Sequence, residues 1–288
     1  MSTLVCIGLG YTAQVFAARL AARGWRVIGT AKTPTGTERV ASLGYEAILF
    51  DGAAPSDALR HALATATHVL VSAPPDAIGD PLLRHHADDL PRSLAWIGYL
   101  STVGVYGDHG GAWVDETTAP KPTSTRSIWR LATERAWLDL AARTGIRVEV
   151  FRLAGIYGPG RGPLESVRNG TARAIVKPGQ VFNRIHVEDI ANVLAATIKQ
   201  EATHAIFNVT DDEPAPPQDV LRYAATLLEL PPPPSIAFAT ADLTAMARSF
   251  YSECKRVSNA RMKRALGVAL SFPTYRDGLA HDAAFLRT

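Results

Sequence analysis

Leu4-Val5-Cys6-Ile7-Gly8-Leu9-Gly10-Tyr11-Thr12-Ala13 sets a short apolar run against a glycine turn, and a helical pattern follows at once. Val15, Phe16 and Leu20 give the segment from Thr12 to Ala22 an apolar face, and Gly24 suits its C-cap. The six residues Gly8-Leu9-Gly10-Tyr11-Thr12-Ala13 fit G-x-G-x-x-G/A. In that pattern the first glycine permits the tight turn. The second lets backbone come close to a pyrophosphate, and the small last residue lets the helix pack near the strand. The first amides of the helix are then offered to phosphate. An ordinary glycine turn is the plain alternative; what favours the cofactor loop is that strand, turn and helix come in the order the mechanism needs. Gly8, Leu9, Gly10, Tyr11, Thr12 and Ala13 are therefore expected to bind a dinucleotide.

Outward from this turn, strands and helices alternate. Strands are expected at Trp25 to Gly29, Glu46 to Phe50, His68 to Ser72, Ala95 to Leu100 and Arg147 to Phe151, with helices such as Asp57 to Ala66 and Ser127 to Arg143 between them. Such alternation predicts an α/β fold, a Rossmann-type doubly wound parallel sheet covered on both faces. After Phe151 the alternation weakens. Gly158-Pro159-Gly160 and Gly162-Pro163 mark a loop, Val187 to Gln200 a helix, and Ile206 to Val209 a strand. Pro231 to Pro234 is a stiff connector, and Ser258 is the expected N-cap of a helix ending near Gly267. The expected division is a Rossmann domain over 1–153 with 182–210 added, and a smaller interleaved C-terminal substrate lobe over 154–181 and 211–288.

The end of the second strand should choose the cofactor, because an Asp or Glu there would grip the ribose 2′-hydroxyl of NAD. The chain has Thr30-Ala31-Lys32-Thr33 instead. A missing carboxylate and a present cation favour NADP over NAD; the bland alternative is that Lys32 is a solvated loop lysine. Arg39 is a further cation whose direction the sequence does not settle. Thr30, Lys32, Asp51, Ser72 and Ala73, at or just beyond strand ends, complete the expected cofactor set.

Bulk properties exclude more than they assign. A net charge of +3 is too mild to imply nucleic acid, and no expected partner is a nucleic acid or a membrane. Two cysteines make no disulfide framework, so a reducing, cytoplasmic setting is expected. No uninterrupted apolar stretch has the length of a membrane span. A homo-oligomer stays open.

Three later segments carry a resemblance. They are Tyr99-Leu100-Ser101-Thr102-Val103-Gly104-Val105-Tyr106-Gly107, Arg152-Leu153-Ala154-Gly155-Ile156-Tyr157-Gly158-Pro159-Gly160 and Arg184-Ile185-His186-Val187-Glu188-Asp189-Ile190-Ala191. With the glycine turn, they make the chain resemble the extended short-chain dehydrogenase/reductases, specifically the NAD-dependent epimerase/dehydratase family. The resemblance implies a catalytic Ser/Thr, matching Thr102, and a Tyr-x-x-x-Lys pair. Glu134, which follows that pair in the family pattern, sets the register: Arg130 stands at the lysine position and Arg126 at the tyrosine position. Twenty-four residues separate Thr102 from Arg126, about the spacing the family uses.

In the family the tyrosine moves a proton as hydride moves, and the lysine lowers its pKa and holds the nicotinamide ribose. A guanidinium stays protonated near neutral pH, so Arg126 is no proton relay. It remains able to donate to an anion or a developing oxyanion. Arg130 retains the donors that hold a ribose. The expected catalytic set is Thr102, Arg126 and Arg130, on an enzyme acting on a nucleotide sugar or another anionic substrate. The competing expectation is a non-catalytic NADP-binding sensor or scaffold. Tyr106 and Tyr157 are the phenols nearest these motifs.

Arg161, Arg168, Arg173, Lys177 and Arg184 fall where the substrate should lie, and Arg184 and Tyr157 are the expected substrate contacts. His186 with Asp189, and His85-His86 with Asp88-Asp89, are too few for a metal site, so no metal is expected. Lys255, Arg256, Arg261, Lys263 and Arg264 are expected as solvated surface rather than a nucleic-acid patch.

Overall fold

A computed structural model describes residues 2–199 and 206–286. The expected helix end at Gln200 lies outside the described residues. Within them, seven strands form the main sheet: β1 (Thr3–Ile7), β2 (Arg26–Ala31), β3 (Glu46–Leu49), β4 (His68–Val71), β5 (Trp96–Thr102), β6 (Val148–Leu153) and β7 (Ile206–Val209). Their order is β3-β2-β1-β4-β5-β6-β7, the doubly wound arrangement whose switch point lies between β1 and β4. β1 runs parallel to both β2 and β4, β2 to β3, and β4 to β5. The fold class is therefore the one the alternation implied.

Five helices accompany the first strands: α1 (Tyr11–Ala21), α2 (Pro34–Ser42), α3 (Asp57–Ala64), α4 (Pro81–His86) and α5 (Thr125–Thr144). β1 and β4 are buried throughout, as parallel strands covered on both faces must be. Val5, Ile7, Val69, Val71, Ile97 and Val150 meet Leu59, Leu63, Trp137 and Leu140 of the helices in one core.

The chain groups into two compact units, one of Met1–Thr102, Thr125–Arg152 and Leu194–Phe207, the other of Val103–Ser124, Leu153–Val193 and Asn208–Thr288. Residues 103–124, expected within the 1–153 Rossmann domain, group with the second unit. The cause is a strand pair too short to read from periodicity: Trp113–Val114 runs parallel to Arg256–Val257. Two further short parallel pairs build this unit, Gly155–Tyr157 with Arg184–His186 and Ala174–Val176 with Ser235–Ala237. The helix expected to start from Ser258 spans Ala260–Leu266, with Asn259 as its N-cap.

In the first unit one buried charge pair fixes α5 against the sheet. Arg152 on β6 donates through Nη2 to Glu134 Oε2 at 2.7 Å, and through Nε to both carboxylate oxygens at 3.2 Å. Ser101 on β5 donates its hydroxyl to the same carboxylate. Arg152 and Glu134 are 3% and 1% exposed, so neither charge has water to fall back on. Glu134→Ala is expected to destabilise the protein by about 3–5 kcal/mol, because Arg152 is left buried without a counter-charge. Replacing both partners, Glu134→Leu with Arg152→Met, is expected to cost less than the single change. Urea denaturation midpoints of the two variants check the order.

Candidate functional site

The glycine turn sits where β1 ends. Gly8 takes φ +82°, and a Cβ there would stand 3.1 Å from the Ala73 backbone nitrogen, so the fold itself requires this glycine. Three of the turn's amides are spent inside the protein: Gly8 N–H donates to Thr30 Oγ1 at 2.8 Å, Leu9 N–H to the Thr30 carbonyl at 3.0 Å and Gly10 N–H to the Gly8 carbonyl at 2.9 Å. Thr30 is thus the clasp of the turn, with its hydroxyl committed to Gly8. Ser72 and Ala73 close the other side, both amides donating to the Ile7 carbonyl at 2.9 and 2.8 Å.

Gly10 is different. It is the N-cap of α1, with an ordinary φ of −87° and no side-chain cap. A Cβ at Gly10 would meet no protein atom within 4 Å. Packing and backbone geometry place no demand for glycine here; the space its missing side chain leaves is open. The first-turn amides of α1, those of Thr12 and Ala13, have no acceptor one turn back within the helix. An uncapped helix start beside a vacant Cβ position suits a pyrophosphate, and this is the test by which a dinucleotide fits.

The cleft at this point has a volume of about 260 Å³ and is lined by the Gly8–Gly10 turn, Thr30, Lys32, Arg39, Asp51, Gly52, Ser72, Ala73, Pro74 and Pro81 among others. Of the expected cofactor residues, Gly8, Leu9, Gly10, Thr30, Lys32, Asp51, Ser72 and Ala73 come together here. Arg39, whose direction was open, lines it too, because α2 carries it back over the end of β2. Asp51 turns its carboxylate onto its own loop, accepting from Ala53 N–H at 2.9 Å.

Arg126, Arg130 and Glu134 share one face of α5, spaced one turn apart. The buried Glu134 pair aims this face at the end of β5. Arg130 donates to the Leu100 carbonyl, lies 3.5 Å from the Tyr99 hydroxyl and rests over the Tyr99 ring at 5.8 Å. Arg126 lies a turn earlier and is exposed. Thr102 ends β5 and is half-buried. Tyr99 is fully buried, and burial pushes its phenol up.

Within the second unit, Arg184 donates Nη1 to the Phe182 and Ala215 carbonyls at 3.0 and 3.2 Å, and burial pulls its pKa down. Asp211, 1% exposed, faces it electrostatically, and Asp211 Oδ2 has no hydrogen-bond partner among the described residues. Tyr157, expected as a substrate contact, is corrected by its position. It is 2% exposed, packs edge-on to His186 at 5.2 Å, and its hydroxyl sits where a Cβ on Gly278 would stand, 2.2 Å away. Tyr106 is equally committed, donating its hydroxyl to Asn208 Oδ1 at 2.8 Å with the ring fully buried.

Arg168 pairs with Glu165 at 2.6 Å, Lys177 donates to the Tyr251 carbonyl, and Arg161 and Arg173 are exposed. The later basic run is largely internally balanced: Lys255 pairs with Glu253, Arg261 with Glu116 and Lys263 with Asp212. His186 is structural: Nδ1 accepts from Glu188 N–H at 3.2 Å, and Nε2 lies 3.3 Å from both Asp282 oxygens. His86 likewise uses both nitrogens, toward Asp89 and the Ser56 amide. Among the described residues no group of three or more His, Cys, Asp and Glu could hold a metal ion, and no helix is long and apolar enough to cross a membrane.

A doubly wound parallel sheet with an uncapped glycine turn at the end of β1 defines a dinucleotide-binding α/β protein. Residues 92–210 match the NAD-dependent epimerase/dehydratase family. The chain is 30% identical over 247 residues to Protein YeeZ of Escherichia coli K12, covering 81% of this chain and 86% of that protein. It is 28% identical over 202 residues to the 3-diazoavenalumate denitrifying reductase of a Streptomyces species, covering 66% of this chain and 63% of the reductase. Among solved structures, one described as a functionally unknown conserved protein from Silicibacter pomeroyi DSS is 50% identical with a TM-score of 0.89, covering 100% of both chains. The chain belongs to the NAD-dependent epimerase/dehydratase family.

Burial raises Asp211 from its ordinary 3.8 to about 8 despite the nearby Arg184. Between those values the folded protein holds a proton that the unfolded chain has lost, so stability falls as pH climbs through the window. Each pH unit there removes up to about 1.4 kcal/mol. Asp211→Asn is expected to flatten the decline, with its advantage over wild type growing from pH 4 to pH 8. Urea unfolding across that range checks this.

Proposed function

We propose that this chain is an NAD(P)-dependent enzyme of its family, with NADP preferred to NAD, acting on an anionic substrate such as a nucleotide sugar. The carrying observation is Gly10: the fold tolerates a side chain there, and an approaching pyrophosphate does not. A bound nicotinamide supplies hydride exchange at its C4 position. The Thr12 and Ala13 amides would hold its pyrophosphate. Lys32 and Arg39, which both line the cleft, would offset a 2′-phosphate. Asp51, Ser72 and Ala73 bound the adenosine.

Arg130 keeps one guanidinium nitrogen on Leu100 and offers the rest of its fork to the nicotinamide ribose. Thr102 orients the reacting oxygen. Arg126 stabilises negative charge developing on it, which needs a donor that stays charged. No relayed proton comes from Tyr106 or Tyr157, since both phenols are locked in packed cores; a proton needed on substrate comes from water. Arg184 suits an anionic substrate group, because an anion would offset the cost of its burial. The Streptomyces relative, named a reductase, supports hydride chemistry in this branch. We place the enzyme in the cytoplasm, in keeping with two free cysteines.

The second reading is a dinucleotide-binding protein without turnover, favoured by the arginines in place of the acid/base pair together with the burial of both nearby phenols. Calorimetric titration with NADP and NAD tests the cofactor reading. Wild type is expected to bind NADP more tightly, and Lys32→Ala with Arg39→Ala to lose about tenfold or more of that affinity while NAD binding holds, as charge-assisted hydrogen bonds imply. Equal NADP affinity in both proteins would overturn the preference. Hydride exchange lost in Thr102→Ala and Arg126→Ala supports catalysis; tight binding with no exchange across a substrate panel supports the second reading.

A further inference from the structure

The cleft described above has two walls that belong to separate loops. One is Phe50-Asp51-Gly52 after β3; the other is Ala73-Pro74 after β4, returning at Pro81 where α4 starts. If the pyrophosphate lies on α1 and the 2′-phosphate on Lys32 and Arg39, the purine base falls between these walls. This step rests on the cofactor reading just given.

Arg84 joins the two loops, and the neighbouring His85 also reaches the first, its Nε2 2.9 Å from the Gly52 carbonyl. Arg84 on α4 donates Nη2 to the Gly52 carbonyl at 2.8 Å, and Nη1 and Nη2 to the two oxygens of Asp76 at 3.0 Å each. Asp76 in turn shapes the second loop: its carboxylate accepts from Ile78 N–H at 2.8 Å, and its backbone exchanges hydrogen bonds with Gly79 at 3.1 and 3.2 Å. The first loop is drawn equally close. Gly52 has φ +83°, and a Cβ on it would stand 2.6 Å from Pro81 Cβ. The helix that carries Arg84 is itself anchored, since buried Asp80 caps it by accepting from Leu82 and Leu83 N–H and also accepts from Trp137 Nε1.

We propose that Arg84 is a positioning residue for the cofactor's adenine, its guanidinium fork fixing the separation of the Gly52 and Pro74–Pro81 walls so that a flat purine enters a slot already formed. Arg84 need not touch the ligand. Its contribution is preorganisation: without the fork, each loop must be ordered when the base binds, and that ordering is charged to affinity. A lysine reaches one acceptor but not both loops with planar geometry.

The experiment titrates wild type, Arg84→Met and Arg84→Lys with NADPH and with adenosine 2′,5′-bisphosphate, and follows amide hydrogen exchange at residues 50–53 and 74–80. Arg84→Met is expected to weaken both ligands by about tenfold, with faster exchange in both loops before ligand is added. Arg84→Lys should fall between. The melting temperature should stay near wild type, because a partly exposed ion pair adds little to global stability. Unchanged affinity for the bisphosphate in Arg84→Met, or exchange quickened in neither loop, overturns the positioning role while leaving the cofactor reading intact. Failure of wild type to bind either ligand overturns both.

Discussion

Thr30 does for the first unit what no helix or strand contact does. It takes the Gly8 amide on its hydroxyl and the Leu9 amide on its carbonyl, so the chain leaving β1 is bound to the end of β2 before α1 begins. Those two amides and that of Gly10, which donates to the Gly8 carbonyl, are satisfied within the protein, and the helix start that follows carries no side-chain cap. The turn therefore arrives shaped, and its electropositive end needs no rearrangement to meet a phosphate. The placement of Lys32 and Arg39 follows, because the strand that Thr30 anchors runs directly into the segment that carries them.

A second constraint acts on α5. The helix face that carries Arg126 and Arg130 is held in register by the buried Arg152–Glu134–Ser101 contact. Arg130 is seated there by the Leu100 carbonyl and the Tyr99 ring. On the function proposed above, that face holds charge and passes no proton.

What was legible in the sequence is what periodicity and spacing encode. The alternating strands and the Gly8–Ala13 turn were readable because each rests on local rules, and the strand order follows from right-handed crossovers. The reading failed where the determinant is distant. Two-residue strands such as Trp113–Val114 have no period, and their partner lies about 140 residues on. Tyr157 looked accessible in a loop motif; its burial depends on Gly278 in a C-terminal helix, which nothing local announces. Arg152 and Glu134 each read as ordinary motif residues, and only the sheet brings them together. Arg39 could be named as a cation but not aimed, and Arg84 gave no sequence signal, because helix phase and loop closure decide where they point.

One feature of the turn has a bearing on how such proteins diverge. Gly8 and Gly10 stand two residues apart, but one answers to architecture and the other, on the function proposed above, to a guest. A single methyl group added at the second would leave the polypeptide as well packed as before and deny the guest its seat. Descendants of this scaffold can thus abandon their cosubstrate in one mutational step and persist as intact, foldable proteins, free to be recruited for other work.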